Sequence, residues 1–178
     1  MHHRHHRLRT QKVVERRQEG WRDALWSWMG VFSSMVLVGW LVDLSLPSQP
    51  LAVMSSFAAT LALLYARPES PMAQPRNVIG GSVLSALIGV SLWQWLGSGW
   101  ETVALATASA LLVMQITRTL HPPGGIVALL AVAGPQDLHE LGWRYALMPI
   151  ASGCLVILAV AVSINTLARK RPYPHRWW

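Results

Sequence analysis

Charge is what this chain has least of. Only 13% of its 178 residues are charged, against 52% hydrophobic. A soluble domain is typically about a quarter charged, so the deficit points to lipid as the solvent for most of the chain. Acidic residues are the scarcer sign, 8 Asp and Glu against 15 Lys and Arg, for a net charge of +7. Such an excess suits either nucleic acid or an anionic membrane surface. The distribution decides between them. Arg4, Arg7, Arg9, Lys12, Arg16, Arg17 and Arg22 precede the first apolar run, and Arg169, Lys170, Arg171 and Arg176 follow the last. Two basic tails flanking an apolar body fit lipid headgroups, and nucleic acid is not an expected partner. Cysteine is nearly missing: Cys154 stands alone, which excludes a disulfide within the chain and reads as a small buried residue. The apolar runs hold no paired carboxylates, no serine–histidine–aspartate set and no cluster with metal-ligand spacing. That argues against an enzyme, a metal centre or a cofactor. No cleavable signal peptide is expected, because the first run is too long for a signal core and lacks a small-residue cleavage site.

What is present is a series of apolar segments separated by proline- and glycine-rich breaks. Residues 1–23 form a basic cytoplasmic tail, 24–168 a single membrane domain and 169–178 a second basic tail. His2, His3, His5 and His6 read as solvated tail rather than a metal site, and 8–21 reads as a short interfacial helix. The segments 24–46, 51–66, 77–96, 101–117, 122–134 and 143–168 predict an all-α polytopic membrane protein of about six membrane segments. The alternative is four spans plus a re-entrant hairpin. It fits the fifth segment, which at 1.5 Å per residue reaches only roughly 20 Å of a roughly 30 Å hydrocarbon core. Trp26, Trp28 and Trp40 sit near span ends, as an aromatic belt places them. Gly81, Ser85 and Gly89 recur every four residues and predict a close helix contact. Pro149 predicts a kink in the last span, and 135–142 reads as a polar loop.

The strongest break is Arg118-Thr119-Leu120-His121-Pro122-Pro123-Gly124-Gly125. Proline stops an arriving helix and is welcome in the first turn of the next, so one helix ends near Arg118 and another begins near Pro122. His121-Pro122-Pro123 with Gly124-Gly125 resembles the signature of the HPP family of integral membrane proteins. The block from Arg67 through Pro68, Pro71, Pro75, Arg76, Asn77, Gly80 and Gly81 is similar to that family's other recurring segment. The resemblance covers residues 24–168. It implies a multi-helix membrane domain, often counted as four spans. It also implies a relation to plant and cyanobacterial members associated with nitrite transport. Some bacterial members carry appended CBS domains, and the length of this chain predicts the bare membrane domain.

With the N-terminus inside and six segments alternating, 67–76, 118–121 and the C-terminal tail fall inside. Of all Lys and Arg only Arg144 then lies outside, together with Asp43, Glu101, Asp137 and Glu140. The positive-inside rule is obeyed almost completely, which predicts an integral protein of a bacterial inner membrane with both termini cytoplasmic. Helix N-termini near Asn77 and Pro122 then start on one side, flanked by Arg76 and Arg118. Unpaired N–H groups, a positive dipole end and glycines that let an ion approach the backbone are the parts of a small-anion site. The predicted substrate contacts are Arg118, His121, the N–H groups of Gly124 and Gly125, Arg76 and Asn77. Pro71, Pro75, Gly80, Gly81, Pro122 and Pro123 are architectural. His121 is as readily a helix cap as a ligand contact, and near neutral pH it would respond to protonation. The remainder of the apolar body offers no other positive charge. The expected function is a transporter or channel for a small inorganic anion, with nitrite implied by the resemblance. A non-transporting structural or sensory membrane module stays open beside it. The expected partners are the lipid bilayer, the anion and further copies of the chain.

Overall fold

The computed structural model describes residues 20–46, 50–170 and 172–176. The interfacial helix over 8–21, the His-rich start, most of the N-terminal tail, and residues 47–49, 171 and 177–178 lie outside the described residues. Among the described residues seven helices follow one another, besides a short 3-10 turn at Pro71–Ala73: α1 Trp21–Ser45, α2 Pro50–Ala66, α3 Pro75–Leu96, α4 Trp100–Ile116, α5 Gly124–Ala133, α6 Gln136–Leu141 and α7 Ala146–Ala168. No strand occurs among the described residues.

Local chemistry sets the boundaries. Pro75 opens α3 at a position where its missing N–H costs nothing, and Gly97 closes it at φ 79°. Asp23 and Glu101 sit in the first turns of α1 and α4, where a carboxylate meets the positive helix end. In α7 the predicted kink is present: Met148 leaves the helical region at φ −133°, ψ 110°, next to Pro149. Two expectations change. The fifth segment begins at Gly124 rather than Pro122, because Pro122 and Pro123 are spent in the turn that precedes the helix. At 10 residues it is about 15 Å long. The expected polar loop at 135–142 folds into α6, a short helix whose Leu138 is buried.

Three helices, α1, α3 and α7, are long and apolar enough to cross a bilayer, with mean hydropathies of 1.6, 1.4 and 2.4. Leu51–Ala66, α4 and α5 are apolar but shorter. Helix lengths therefore give an all-helical membrane protein without fixing a count of six crossings.

The core of α1, α2, α3 and α7 is closed by Val38, Phe57, Leu61, Val78, Ile150 and Ile157. A smaller cluster, Ala106, Ala110, Ala128 and Val132, joins α4 to α5. The predicted small-residue face of α3 is buried at Gly81, Ser85 and Gly89. A Cβ at Gly81 would stand 2.6 Å from the Thr119 carbonyl oxygen, and one at Gly89 would stand 2.6 Å from Ala131 Cβ. Helix α3 thus meets α5 and its approach at backbone distance.

Hydrogen bonds and an ion pair gather six helix ends at one end of the bundle. Arg169, past the end of α7, donates to the carbonyl of Tyr65 at the end of α2 (3.1 Å), and its Nε lies 4.0 Å from Asp23 at the start of α1. Arg76 at the start of α3 donates from Nη2 to the Thr117 carbonyl at the end of α4 (3.2 Å). His121, just before α5, reaches the Met72 carbonyl. Arg22, Arg67, Arg76, Arg118, Arg169, Lys170 and Arg176 all belong to this end, with Glu69 among them. Trp40, Trp95, Trp100 and Trp143 are exposed where chain connectivity puts the other end, and Trp21, Trp26 and Trp28 are exposed near the basic one. Rings so placed match the two interfacial belts of a bilayer.

Candidate functional site

The 118–125 break is built from two turns. Helix α4 ends with Arg118 N–H bonded to Gln115 O (3.2 Å) and Thr119 N–H bonded to Met114 O (2.9 Å). This is the Schellman pattern, which asks for a left-handed residue at Arg118. Arg118 supplies it at φ 56°, a conformation that glycine adopts freely and that costs an L-residue roughly 1–2 kcal/mol. The next turn is closed by Gly124 N–H to His121 O (2.8 Å) and Gly125 N–H to Pro122 O (3.0 Å).

These bonds divide the predicted site residues into two groups. Arg118, Arg76 and Asn77 come together, lining an open cleft of about 530 Å³ with Glu69, Pro71, Gln74, His175 and Arg176. Arg76 and Arg118 are exposed and Asn77 is half-buried. Asn77 also donates from Nδ2 to the Leu120 carbonyl (2.9 Å), so the start of α3 is laced to the break by two side chains. His121, Gly124 and Gly125 are not lining residues. The Gly124 and Gly125 N–H groups, predicted to face an anion, are given to the carbonyls of the turn. Gly124 is packed instead: a Cβ there would meet Ser85 Oγ at 2.7 Å.

His121 is fully buried. Its Nδ1 lies 2.9 Å from the Met72 carbonyl and its Nε2 lies 3.0 Å from Thr60 Oγ1. A carbonyl only accepts, so Nδ1 carries the proton, and Nε2 is left to accept from the Thr60 hydroxyl, whose one hydrogen is shared with the Ser56 carbonyl (3.1 Å). His121 therefore pins the α4–α5 connection to α2 and to the proline-rich segment. Burial pushes its pKa down to about 4, against a smaller opposing pull from the Met72 carbonyl. The protonation response expected near neutral pH is absent. Because the unfolded chain takes up this proton near pH 6.5 and the folded one only near pH 4, stability is complete above 6.5 and declines as pH falls between those values. The melting temperature in detergent should drop across that window, and His121→Gln should flatten the drop. A His121-dependent step in flux between pH 6 and 8 would contradict this placement.

Sequence reasoning missed the part played by the C-terminal segment. Tyr173 donates its hydroxyl to the Ala73 carbonyl (2.7 Å), and the N–H groups of His175 and Arg176 donate to Gln74 Oε1 (2.9 and 3.2 Å). The Gln74 amide nitrogen donates to the Pro68 and Ser70 carbonyls (both 2.9 Å). Residues 172–176 are thus strapped across the proline-rich connection, and His175 and Arg176 become cleft residues. Burial pushes the Tyr173 hydroxyl pKa up. The available signal was an aromatic residue between Pro172 and Pro174 inside a basic tail. Arg169, assigned to the tail by sequence, is 6% exposed, so the apolar body does contain a further positive charge.

A helical bundle with apolar outer faces and one basic end is a membrane protein by construction. The model of the HPP transmembrane region matches residues 16–174. The chain belongs to the HPP transmembrane family. Two transmembrane proteins of Dictyostelium discoideum are 37% and 35% identical to it, each over 86% of this chain. The match takes in 55% of the first relative and 50% of the second, so the chain spans about half the length of the curated relatives it matches. No solved structure matches it.

Proposed function

We propose that this protein is a transporter or channel for a small inorganic anion, nitrite being the favoured substrate by family resemblance. The observation that carries the reading is the cleft at the basic end of the bundle. Three guanidinium groups, Arg76, Arg118 and Arg176, line it beside His175, Asn77 and Gln74, with Glu69 the one carboxylate among the lining residues. Arginine's planar fork suits an oxyanion, and Arg118 occupies a left-handed position where glycine would be the unstrained choice. In this reading Arg118, Arg76 and Arg176 collect the anion at the cytoplasmic mouth, while His121, Gly124 and Gly125 hold the wall behind it. Purified protein in liposomes should carry nitrite inward at a rate that grows with protein density. Vesicles that leak no faster than protein-free controls would favour the alternative, a non-transporting structural or sensory module. The backbone-close contact at Gly89 and Ala131 leaves little room for a permanent path and favours that alternative, or a carrier over an open pore.

The topology we propose has six membrane segments, both termini cytoplasmic and a bacterial inner-membrane location, with the apolar outer faces against lipid or further copies of the chain. Its support is the gathering of basic residues at one end of the bundle and of Asp43, Glu101, Asp137 and Glu140 at the other. In a Cys154→Ser background, cysteines at Ser98 or Gln136 should react with an impermeant thiol reagent in intact cells, and those at Thr10 or Pro172 should not. Labelling of one terminus alone would require an odd number of crossings.

A further inference from the structure

Apart from the cleft residues, α1, α2 and α7 enclose a second polar group. Ser34, Tyr65 and Asn165 are 0%, 3% and 0% exposed. Arg169 donates from Nη1 to Asn165 Oδ1 (3.1 Å) as well as to the Tyr65 carbonyl. That bond fixes the amide orientation, so the Asn165 NH₂ points away from Arg169's donor and offers hydrogens of its own. The Tyr65 ring lies against Gly30: a Cβ on that glycine would meet the Tyr65 hydroxyl at 2.3 Å. Ser34 is one helical turn further along the same face of α1. The Ser34 and Tyr65 hydroxyls face each other closely enough to interact, but neither completes a hydrogen bond of good geometry. Ser34 Oγ, Tyr65 Oη and Asn165 Nδ2 are thus buried without a well-formed hydrogen bond to the protein. Buried polar atoms are almost always paired with protein or with an ordered small molecule, and three orphans from three helices around one guanidinium describe a site.

We propose that Ser34, Tyr65 and Asn165 line a buried site for a small hydrogen-bond acceptor, a water molecule or a small inorganic anion, held beside Arg169. Two hydroxyls and an amide NH₂ supply donors, and the neighbouring guanidinium disfavours a cation. The site does not rest on the transport reading, since its residues belong to α1, α2 and α7 and none of them lines the cleft.

Tyr65→Phe and Ser34→Ala each delete one orphan atom and little else. With the site filled, each variant loses its own bond to the occupant, so each melting temperature in detergent should fall by about 2–4 °C and that of the double variant by the sum, whereas a direct Ser34–Tyr65 contact would be lost only once. With the site empty, deletion relieves a buried unpaired hydroxyl, and a melting temperature unchanged or raised in both variants would overturn the proposal. Titration with sodium chloride or sodium nitrite at constant ionic strength, in an Arg118→Gly background that disables the cleft, identifies the occupant. Stabilisation that grows with the anion and is blunted by Tyr65→Phe means an anion. A melting temperature indifferent to both salts, with the two variants still destabilised, means water.

Discussion

Replacing Arg118 by glycine should abolish most nitrite flux while leaving the protein as stable as the wild type or slightly more so. The two effects separate because the backbone and the side chain of Arg118 do different work. The backbone closes α4 in a left-handed conformation at φ 56°. Glycine relieves a strain of roughly 1–2 kcal/mol there, partly offset by the greater freedom of the unfolded chain. The side chain lines the cleft with Arg76 and Arg176, and a charge-assisted contact to an oxyanion is worth roughly 1.5–3 kcal/mol. At sub-saturating nitrite that is about a 10–150-fold loss. Arg118→Lys should restore part of the flux, since lysine keeps the charge and loses the fork. Arg67→Ala should do much less, because Arg67 is exposed and is not among the cleft residues. Flux by purified Arg118→Gly protein at the wild-type rate would move the site elsewhere.

The parts of this arrangement that the sequence makes readable are those set by local rules. Apolar runs, the proline and glycine breaks, the four-residue spacing of Gly81, Ser85 and Gly89, and the kink at Pro149 are encoded within a few residues of where they act. So is the sorting of basic residues to one end, which brings Arg76, Asn77 and Arg118 together. What was not readable depends on contacts across the chain. The Gly124 and Gly125 N–H groups look available in sequence, but whether a turn carbonyl takes them depends on the fold of residues 121–123. His121 looks like a titrating ligand until Thr60 and Met72, far away in sequence, occupy both ring nitrogens. Arg169 reads as tail because its neighbours Lys170 and Arg171 are basic. Only the packing of α1, α2 and α7 draws it inward. Gln74 gives little local sign of holding the C-terminal segment, because its partners lie a hundred residues downstream.

The adjacent glycines of the break should behave in opposite ways when each is replaced by alanine. At Gly124 a Cβ would stand 2.7 Å from Ser85 Oγ, 3.1 Å from Met114 Sδ and 3.2 Å from the Gly81 carbonyl oxygen. Serine can rotate away, but the Gly81 carbonyl belongs to α3 and moves only with that helix. At Gly125 the nearest atom is Thr107 Cγ2 at 3.6 Å, an ordinary contact. Gly124→Ala should therefore cost about 1–3 kcal/mol of overpacking. Gly125→Ala should be neutral or stabilising by up to about 1 kcal/mol, the helix preference of alanine over glycine. Gly89 is the stricter case on the opposite helix. Its Cβ would meet Ala131 Cβ at 2.6 Å and the Ala128 carbonyl at 2.7 Å, and neither can rotate aside. Gly89→Leu should force α3 and α5 apart and lower the melting temperature in detergent further than Gly124→Ala does. On the proposed reading, in which α5 backs the cleft, its flux should fall with its stability, in contrast to Arg118→Gly, which loses flux alone. Equal melting temperatures for the Gly124→Ala and Gly125→Ala proteins, or an unaltered Gly89→Leu protein, would mean that α3 and α5 do not pack at backbone distance.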